Sequence, residues 1–490
     1  MHHSNGFGAV PMAIRRVLLL TAINLLPGSA HAIPAPQHPS IAREQTDAIQ
    51  ESKRQPNLSP ALRRLPAPGG STRIQLAREF AGHQETLEEA WSCAATVDRR
   101  LKSRQWQVAS ARENLYAASA GRWPTAHVDS SYVGRNTEPS FTFKVPALML
   151  PSNRFPYAQN EGGSFRARFN VPLYTGGSIS EGIKAARSRI SAASHDVASS
   201  QNDLRLNVAE AYVAVLRRQR AVEVAVGTQN SLRSHASDVK LRYEQKQVPR
   251  QDVLAADVAT LDARQKVIQA RNQLDLSRAS YNRILARPLA SGVRIAELPI
   301  CNAAHDLDLL TERATATRPA VSQYVAEISA LEHRAASLRG TKLPQIALRG
   351  DYTFAENRYQ TPEGIASIGV GVDWNVYDHG RISHEAAALS HEAESLRWMM
   401  AELKSMIALE VRRAWLDIQE TARRLEVTPH ACRQADENLR VARSRYVLGA
   451  AIGTEVLDAE TQRVQAYTNH SNAIYDAVLA EIRLHHAVGQ

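Results

Sequence analysis

The same strand-to-helix junction occurs twice in this chain of 490 residues. "ARFNVPLYTGG" at 167–177 and "VGVDWNVYDHG" at 370–380 both alternate apolar and polar residues, reach a tyrosine and end at a glycine. Tyr174 and Tyr377 lie 203 positions apart (377 − 174), and this spacing holds without a gap to the C-terminus. An insertion within a helix rotates everything after it by about 100°, so an unbroken spacing indicates long packed helices.

Upstream of the junctions the two copies are spaced differently. Pro124 corresponds to Pro344, 220 positions later, so the first copy carries 17 extra residues (220 − 203). They fall in a Pro-rich stretch that is predicted to be a loop, where insertions are tolerated. The pattern predicts two internal structural repeats, 84–300 and 301–490, each with a helix, two strands and a long helical hairpin. Glycines permit the strand-to-helix turns: they are Gly176, Gly177 and Gly380.

Long helical patterns follow both junctions. The 69 residues 178–246 contain no proline and would form a helix of roughly 100 Å at about 1.5 Å per residue. Apolar residues and alanines recur there at spacings of three and four, which is typical of a coiled-coil seam. Residues 381–448 repeat the pattern apart from Pro429, and each long helix is followed by a short break and a returning helix. A further helical pattern runs from Gln84 to Gly121.

Four stretches of about 10 residues have strand periodicity, the length that crosses a bilayer as a tilted strand. They are 125–135, 164–174, 344–354 and 366–377. Open strand edges are not tolerated in hydrocarbon, and closure takes about eight strands, so the subunit is expected to oligomerise and contribute one quarter to one half of a barrel wall. The alternative is a soluble coiled-coil protein with two small hairpins. It explains the helices but not the strand lengths or their apolar outward faces.

The N-terminus has the three parts of a secretory signal peptide, predicted as residues 1–32. Two arginines precede the apolar run 17–26, and small residues follow at the cleavage positions 30–32. No cysteine follows the predicted cleavage site, so a lipid anchor is not expected there. Residues 33–83 are rich in proline and arginine without an apolar period and are interpreted as a flexible segment. No later segment is apolar enough for a transmembrane helix.

Several classes of function are disfavoured. The formal net charge is +10, but basic residues are interspersed with acidic ones along the helices, which argues against a nucleic-acid interface. His384 and His391 could share a helix face, yet no third metal ligand accompanies them. No catalytic signature occurs, so neither an enzyme nor a cofactor or metal is expected. The cysteines match no ligand spacing and are interpreted as unpaired buried thiols: Cys93, Cys301 and Cys432.

Over residues 84–488 the ordered repetition resembles the TolC family of outer-membrane factors. It is carried by "NVPLYTGG", by "RWPTAHV" and "KLPQIAL" before strands, and by "RYEQKQVPRQDVLAA" and "RYVLGAAIGTEVLDAE" at the hairpins. The resemblance implies a mixed α and β membrane protein in the outer membrane of a Gram-negative bacterium. Three subunits would form one 12-stranded transmembrane β-barrel that faces outer-membrane lipid, continued by a long periplasmic α-helical coiled-coil barrel. Its partners would be a periplasmic adaptor and an inner-membrane transporter, either ABC-type or proton-driven.

The resemblance also implies that the hairpin tips form the periplasmic entrance and dock the adaptor. Tyr446 matches a tyrosine of the closing network, and Ala451 stands where an arginine is expected, so Arg250 or Arg445 would have to substitute. The implied gating residues are Asp252, Tyr446, Glu455 and Asp458, and the implied docking residues are Val248, Pro249, Gly449 and Gly453. Glu455 and Asp458 share a helix face. Threefold symmetry would make them rings that attract cations, although both could instead be ordinary N-terminal helix residues stabilised by the helix dipole.

Together these patterns predict a passive duct that conducts substrate from the inner-membrane transporter and adaptor to the exterior. Type I secretion of a protein, such as a toxin, hemolysin or protease, is the preferred function, because many efflux members of the family carry a lipid-modified cysteine that this chain lacks. A multidrug or small-molecule efflux duct is the alternative. A non-transporting, periplasm-spanning coiled-coil structural protein is the alternative from another class.

Overall fold

The computed structural model describes residues 84–143, 153–299 and 306–489. The predicted signal peptide, the Pro-rich segment before residue 84 and Cys301 lie outside these described residues. Contacts between residues divide the chain into two compact units. The helical unit comprises 80–125, 170–348 and 370–490, and the described part of the strand unit lies within 126–169 and 349–369.

The helices of the described residues are dominated by two very long ones. Their bounds are α1 Leu87–Val97, α2 Arg99–Ala120, α3 Ser178–Glu244, α4 Arg250–Ile284, α5 Leu307–Thr317, α6 Pro319–Gly340, α7 Arg381–Val447 and α8 Gly453–Val488. Helices α3 and α7 have 67 residues each, and α7 continues through Pro429. No described helix combines the length and apolarity needed to cross a membrane.

The internal repeat is confirmed by where the helices begin. Helices α1 and α2 begin 220 positions before α5 and α6, while α3 and α4 begin 203 positions before α7 and α8. In both copies the second helix follows a residue of extended backbone, Asp98 (ψ 128°) or Arg318 (ψ 127°). The spacing found in the sequence therefore predicts the first residue of each helix in the second repeat from its equivalent in the first.

The single helical pattern at the start of the first repeat forms two helices, α1 and α2. The pattern from Gln84 to Gly121 is broken at Asp98, whose extended backbone ends α1 and whose carboxylate accepts a hydrogen bond of 2.7 Å from the Leu101 N–H. Thr86 caps the start of α1, where its hydroxyl and the Glu89 carboxylate form a capping box. Caps satisfy the N–H groups that a helix start leaves free, so each of these helices has its own beginning.

The strands are β1 Thr125–Gly134, β2 Ser140–Phe143, β3 Asn153–Pro156, β4 Glu161–Tyr174, β5 Gln345–Ala355 and β6 Gly364–Asp373. Four form one sheet in the order β1-β4-β5-β6, so the four predicted strands are present. Strand β3 lies in the stretch predicted as a loop in the first repeat, and it pairs antiparallel with β2, which precedes that stretch.

Strand β6 also ends four residues earlier than predicted. After Asp373 the Trp374 indole N–H donates to the Lys342 carbonyl at 3.0 Å, and the Asp378 carboxylate accepts from the N–H groups of Gly380 and Ile382. These bonds replace the strand ladder before α7 begins.

The strand-to-helix junctions have the same backbone in both repeats. Gly177 (φ 82°) and Gly380 (φ 83°) precede α3 and α7, and the residues before them, Gly176 (φ 58°) and His379 (φ 55°), are also left-handed. Gly176 lies against Gly340 so closely that an added Cβ would stand 2.3 Å from the Gly340 carbonyl oxygen. Glycine is required there by the close approach as well as by the backbone conformation.

Apolar burial within the helical unit is concentrated in three clusters rather than one core. One packs α1 onto α3, α4 and α8, and a second packs α5 onto α7 and α8. The third lies near the hairpin breaks and contains Val239, Ala256 and Tyr446. Cys432 is buried and unpaired as predicted, whereas Cys93 is unpaired but only half-buried. The predicted burial of Cys93 is therefore wrong, since one side of α1 faces solvent.

Candidate functional site at the hairpin tips

The two helical hairpins turn through matching left-handed residues. Lys246 (φ 61°) follows α3, and its repeat equivalent Gly449 (φ 73°) follows α7. Pro249 precedes α4 with extended backbone, while Val248 is half-buried against the third apolar cluster. We call residues 242–252 and 445–458 the tip segments. They bring together residues that lie about two hundred positions apart.

A hydrogen bond links the two tip segments. The Tyr446 hydroxyl donates to the Asp252 carboxylate at 3.3 Å, and Tyr446 is only 5% exposed. Burial and the nearby Asp252 carboxylate raise the pKa of Tyr446 to about 12, so the phenol remains a donor at any physiological pH. Gly453 lies beside this bond, because a Cβ there would be 3.3 Å from the Asp252 carboxyl carbon. The structure therefore joins three predicted site residues.

Arg445 at the tips pairs with a carboxylate rather than with the tyrosine of the implied closing network. Arg445 lies 3.2 Å from the Glu455 carboxylate and donates to the Ala450 carbonyl at 3.1 Å. Its repeat equivalent, Arg242, donates to the Val447 carbonyl at 2.9 Å. Within the subunit Arg445 thus stabilises its own turn and pairs Glu455. Asp458 lies one turn further along α8 and is exposed.

His235 packs beside the tip segments and was missed in the sequence analysis. It is 6% exposed, and its ring lies 5.5 Å from the Tyr446 ring, centre to centre. Burial, followed by the charge of Arg443, lowers the pKa of His235, while Asp238 and Asp252 act in the opposite direction. Its position four residues before buried Val239 on α3 was the available signal.

A second polar layer lies next to the third apolar cluster. Glu460 is 2% exposed and accepts a hydrogen bond from Ser231 at 2.9 Å. Arg443 and Arg463 each lie 3.4 Å from its carboxylate. A buried carboxylate is stable only when paired in this way. The layer ties α3, α7 and α8 together beside the Tyr446–Asp252 bond.

We expect His235→Phe to reduce the acid sensitivity of the helical unit. An unfolded histidine has a pKa of about 6.5, and because the folded value is lower, the unfolded chain binds more protons below that pH. Stability is therefore fully present above about pH 6.5 and is lost as the pH falls through that window. The check compares thermal midpoints of both proteins at about pH 7.5 and about pH 5, on either side of the ordinary histidine pKa. His430→Phe, which replaces an exposed histidine, is the control. An unchanged pH response in His235→Phe would contradict the expectation.

Comparison with known proteins gives a consistent result. The family model described as "Outer membrane efflux protein" matches residues 92–287 and 310–490. The alkaline protease secretion protein AprF of Pseudomonas aeruginosa is 20% identical over 301 residues, which cover 59% of this chain and 62% of that relative. The match thus spans less than two thirds of the relative's length.

Solved structures share the fold at low identity. The outer-membrane channel OprN superposes with a TM-score of 0.70 at 16% identity, covering 82% of this chain and 89% of that chain. The outer membrane protein VceC from Vibrio cholerae superposes with a TM-score of 0.69 at 16% identity, covering 82% of this chain and 96% of that chain. At such identity the likeness concerns the fold alone.

Proposed function

Because this chain belongs to the outer membrane efflux protein family, we propose that it is the exit duct of a tripartite export system and that its cargo is protein. Members of this family are outer-membrane channels rather than enzymes, and the chain is accordingly an outer-membrane protein. In the proposed system an energised inner-membrane transporter and a periplasmic adaptor deliver substrate to the tip segments. The duct itself is passive.

The open four-stranded sheet carries this proposal. Among the described strands, β1 and β6 each have one neighbour, and the four strands of the sheet have 10 to 14 residues, enough to cross a bilayer when tilted. A sheet with free edges is not stable in hydrocarbon. Three copies that pair β6 with the next β1 would close 12 strands, and α3 and α7 would continue each wall for roughly 100 Å at about 1.5 Å per residue.

The tip segments are the proposed entrance and docking surface. The Tyr446–Asp252 bond joins the two hairpins of one subunit, whereas the Arg445–Glu455 pair stabilises the turn of the second hairpin. An opening motion that separates the hairpins would have to break the Tyr446–Asp252 bond. Val248, Pro249 and the repeat-2 glycines Gly449 and Gly453 shape the tips that an adaptor would contact.

Protein cargo is favoured by the name of one relative, AprF, which is an alkaline protease secretion protein. The alternative is efflux of small molecules, which the description of the whole family favours. Purification from the native envelope distinguishes them by the partner that remains bound. An ABC transporter with its adaptor supports type I secretion, whereas a proton-driven transporter supports efflux and overturns the protein-cargo proposal.

The duct itself is tested by mass and conductance. We expect the purified protein to be a trimer in detergent and to form ion-conducting channels in planar bilayers. A folded monomer in membranes, or a trimer that never conducts under any condition of opening, would leave the non-transporting spacer as the better account.

Replacing Glu455 and Asp458 together by Ala should weaken block by multivalent cations. In a trimer these carboxylates would form two like-charged rings one helical turn apart, a geometry that binds cations. The double substitution also leaves Arg445 without its 3.2 Å carboxylate partner, so an unpaired positive side chain remains at the mouth.

Single-channel recordings with a trivalent cation measure the effect. The matched control removes two exposed carboxylates from α7 away from the tips, Glu392→Ala with Glu426→Ala. Cation block that is retained in the tip variant and equal to the control would show that Glu455 and Asp458 do not line the mouth.

A further inference from the structure

The two repeats make equivalent contacts at equivalent positions. Between α2 and α3, Arg122 donates to the Ser180 hydroxyl at 3.5 Å. Between α6 and α7, Lys342 donates to the Ser383 hydroxyl at 2.7 Å. Position 342 is 122 shifted by 220, and 383 is 180 shifted by 203. A contact in the first repeat can therefore be transferred to the second by these two shifts.

A different surface of α3 contacts α6. Glu181 and His333 lie 2.7 Å apart, and the hydroxyls of Ser188 and Ser329 lie 3.1 Å apart. Adding 203 takes the α3 residues of this contact onto α7, and subtracting 220 takes the α6 residues onto α2. We call such a contact between two helices a seam. The α7 surface is exposed in the subunit, at His384, His391 and Trp398. So is the α2 surface, at Trp106 and Glu113.

We infer that a second copy of this chain lays its α2 against α7, placing Glu113 of that copy beside His384 and its Trp106 beside Trp398. We call this the α7–α2 seam. The inference rests on the proposed trimeric duct and adds the register and the residues of its subunit contact. No other occupant explains why both surfaces match the two sides of a seam already present inside the subunit.

The charges support this register because they are exchanged in order. Adding 203 takes Glu181 of α3 to His384 of α7, and subtracting 220 takes His333 of α6 to Glu113 of α2. An acid therefore faces a histidine in both seams, with the order reversed. Two unrelated substitutions would as readily have opposed acid to acid, which is unfavourable across an interface.

The large side chains of Trp106 and Trp398 also support this register. Ser188 and His195 of α3 line one groove with Ala326 of α6. The shifts take His195 to Trp398 and Ala326 to Trp106, which are 72% and 70% exposed. Large exposed apolar side chains on matching surfaces are typical of interface anchors.

The junction end of the α7–α2 seam differs from its equivalent inside the subunit. Inside the subunit Gly176 and Gly340 approach so closely that neither could carry a side chain without movement. The equivalent pair in the α7–α2 seam is His379 and Ala120. Because both carry side chains, the helices there must lie further apart.

Cross-linking tests the register directly. Ala109→Cys with His391→Cys, the counterparts of Ser329 and Ser188, is made in a chain whose three native cysteines are replaced by serine. A short bifunctional thiol reagent should convert it to covalent trimers. Ser188→Cys with Ser329→Cys is the matched control and should retain the mass of one subunit, while Ala109→Cys with His384→Cys, displaced by seven residues, should cross-link poorly.

A charge exchange tests the pair itself. His384→Glu should lower the fraction of trimer that survives mild detergent dissociation by about tenfold, because it opposes Glu113 with a like charge in each of the subunit contacts. Adding Glu113→His restores the order found in the Glu181–His333 pair and should recover the trimer. A recovery confined to the double variant supports the register.

The outcomes separate this inference from the proposed duct. Trimers by mass without the cross-link, or without recovery in the double variant, overturn the α7–α2 register and leave the duct intact. Absence of any trimer overturns both. A cross-link at the displaced pair and not at the designed pair gives a different register and overturns this one.

Discussion

Gly176→Ala should give almost no folded protein. Its backbone is left-handed, and the new Cβ would stand 2.3 Å from the Gly340 carbonyl oxygen and 2.8 Å from the Leu343 Cβ. Neither obstacle is the mobile end of a side chain, so backbone must move at the point where a strand becomes a 67-residue helix. Strain and displacement together should cost about 3–5 kcal/mol per subunit. Yield in the outer membrane and the thermal midpoint of what is recovered measure the effect.

The neighbouring glycine supplies the control. Gly177 is also left-handed, with φ 82°, but no atom outside its immediate neighbours lies within 4 Å of a Cβ built there. Gly177→Ala should therefore cost only the conformational penalty, about 1–2 kcal/mol. His379→Ala should be nearly neutral, since that position already carries a side chain at φ 55°. Equal losses for Gly176→Ala and Gly177→Ala would mean that the close approach to Gly340 is unimportant.

Val370→Arg and Val372→Arg should each impair membrane insertion far more than Gly371→Arg. The two valines are both 64% exposed on β6 and share one face of the strand, whereas Gly371 belongs to the opposite face. In the proposed barrel the valine face meets lipid, where a midplane arginine costs about 2–4 kcal/mol. A trimer incurs that cost at three positions.

The measurement is the amount of each variant that resists extraction from outer membranes by urea. The comparison within one strand controls for position, since the three residues are adjacent and receive the same substitution. Similar membrane amounts for all three variants would show that the valine face does not meet lipid, and a loss confined to Gly371→Arg would show that the faces of β6 are assigned the wrong way round.

Periodicity was sufficient to predict the long helices and the repeat, because in a packed helix every residue contributes to one continuous pattern. Local competition accounts for the errors. Asp98 lies within an amphipathic pattern, yet its side chain caps the next helix and divides the predicted one. Strand β6 ends early because Trp374 and Asp378 bond elsewhere, although the apolar alternation continues to Tyr377.

The tip residues show a different limit. Tyr446 and Asp252 were named from a resemblance, but their contact joins positions 194 apart, and no periodicity specifies such a bond. Arg445 could have paired with Asp252 or Glu455, and only the geometry of the turn selects Glu455. His235 was missed because a histidine on an apolar stripe is usually read as one more core residue. Periodicity predicts which face of a helix is buried, but it does not predict which residue on a neighbouring helix each side chain bonds.

The unequal junctions have an evolutionary consequence. In a ring of six identical single-repeat chains, every substitution would appear at all six contacts, so none could be tight in one place and wide in the next. Fusion of two repeats into one gene removes that constraint. Gly176 and Gly340 can then lie in close contact, while the equivalent positions His379 and Ala120 carry side chains. Duplication thus allows the contact within one subunit to be tight while the equivalent contact between subunits differs in sequence and can change independently.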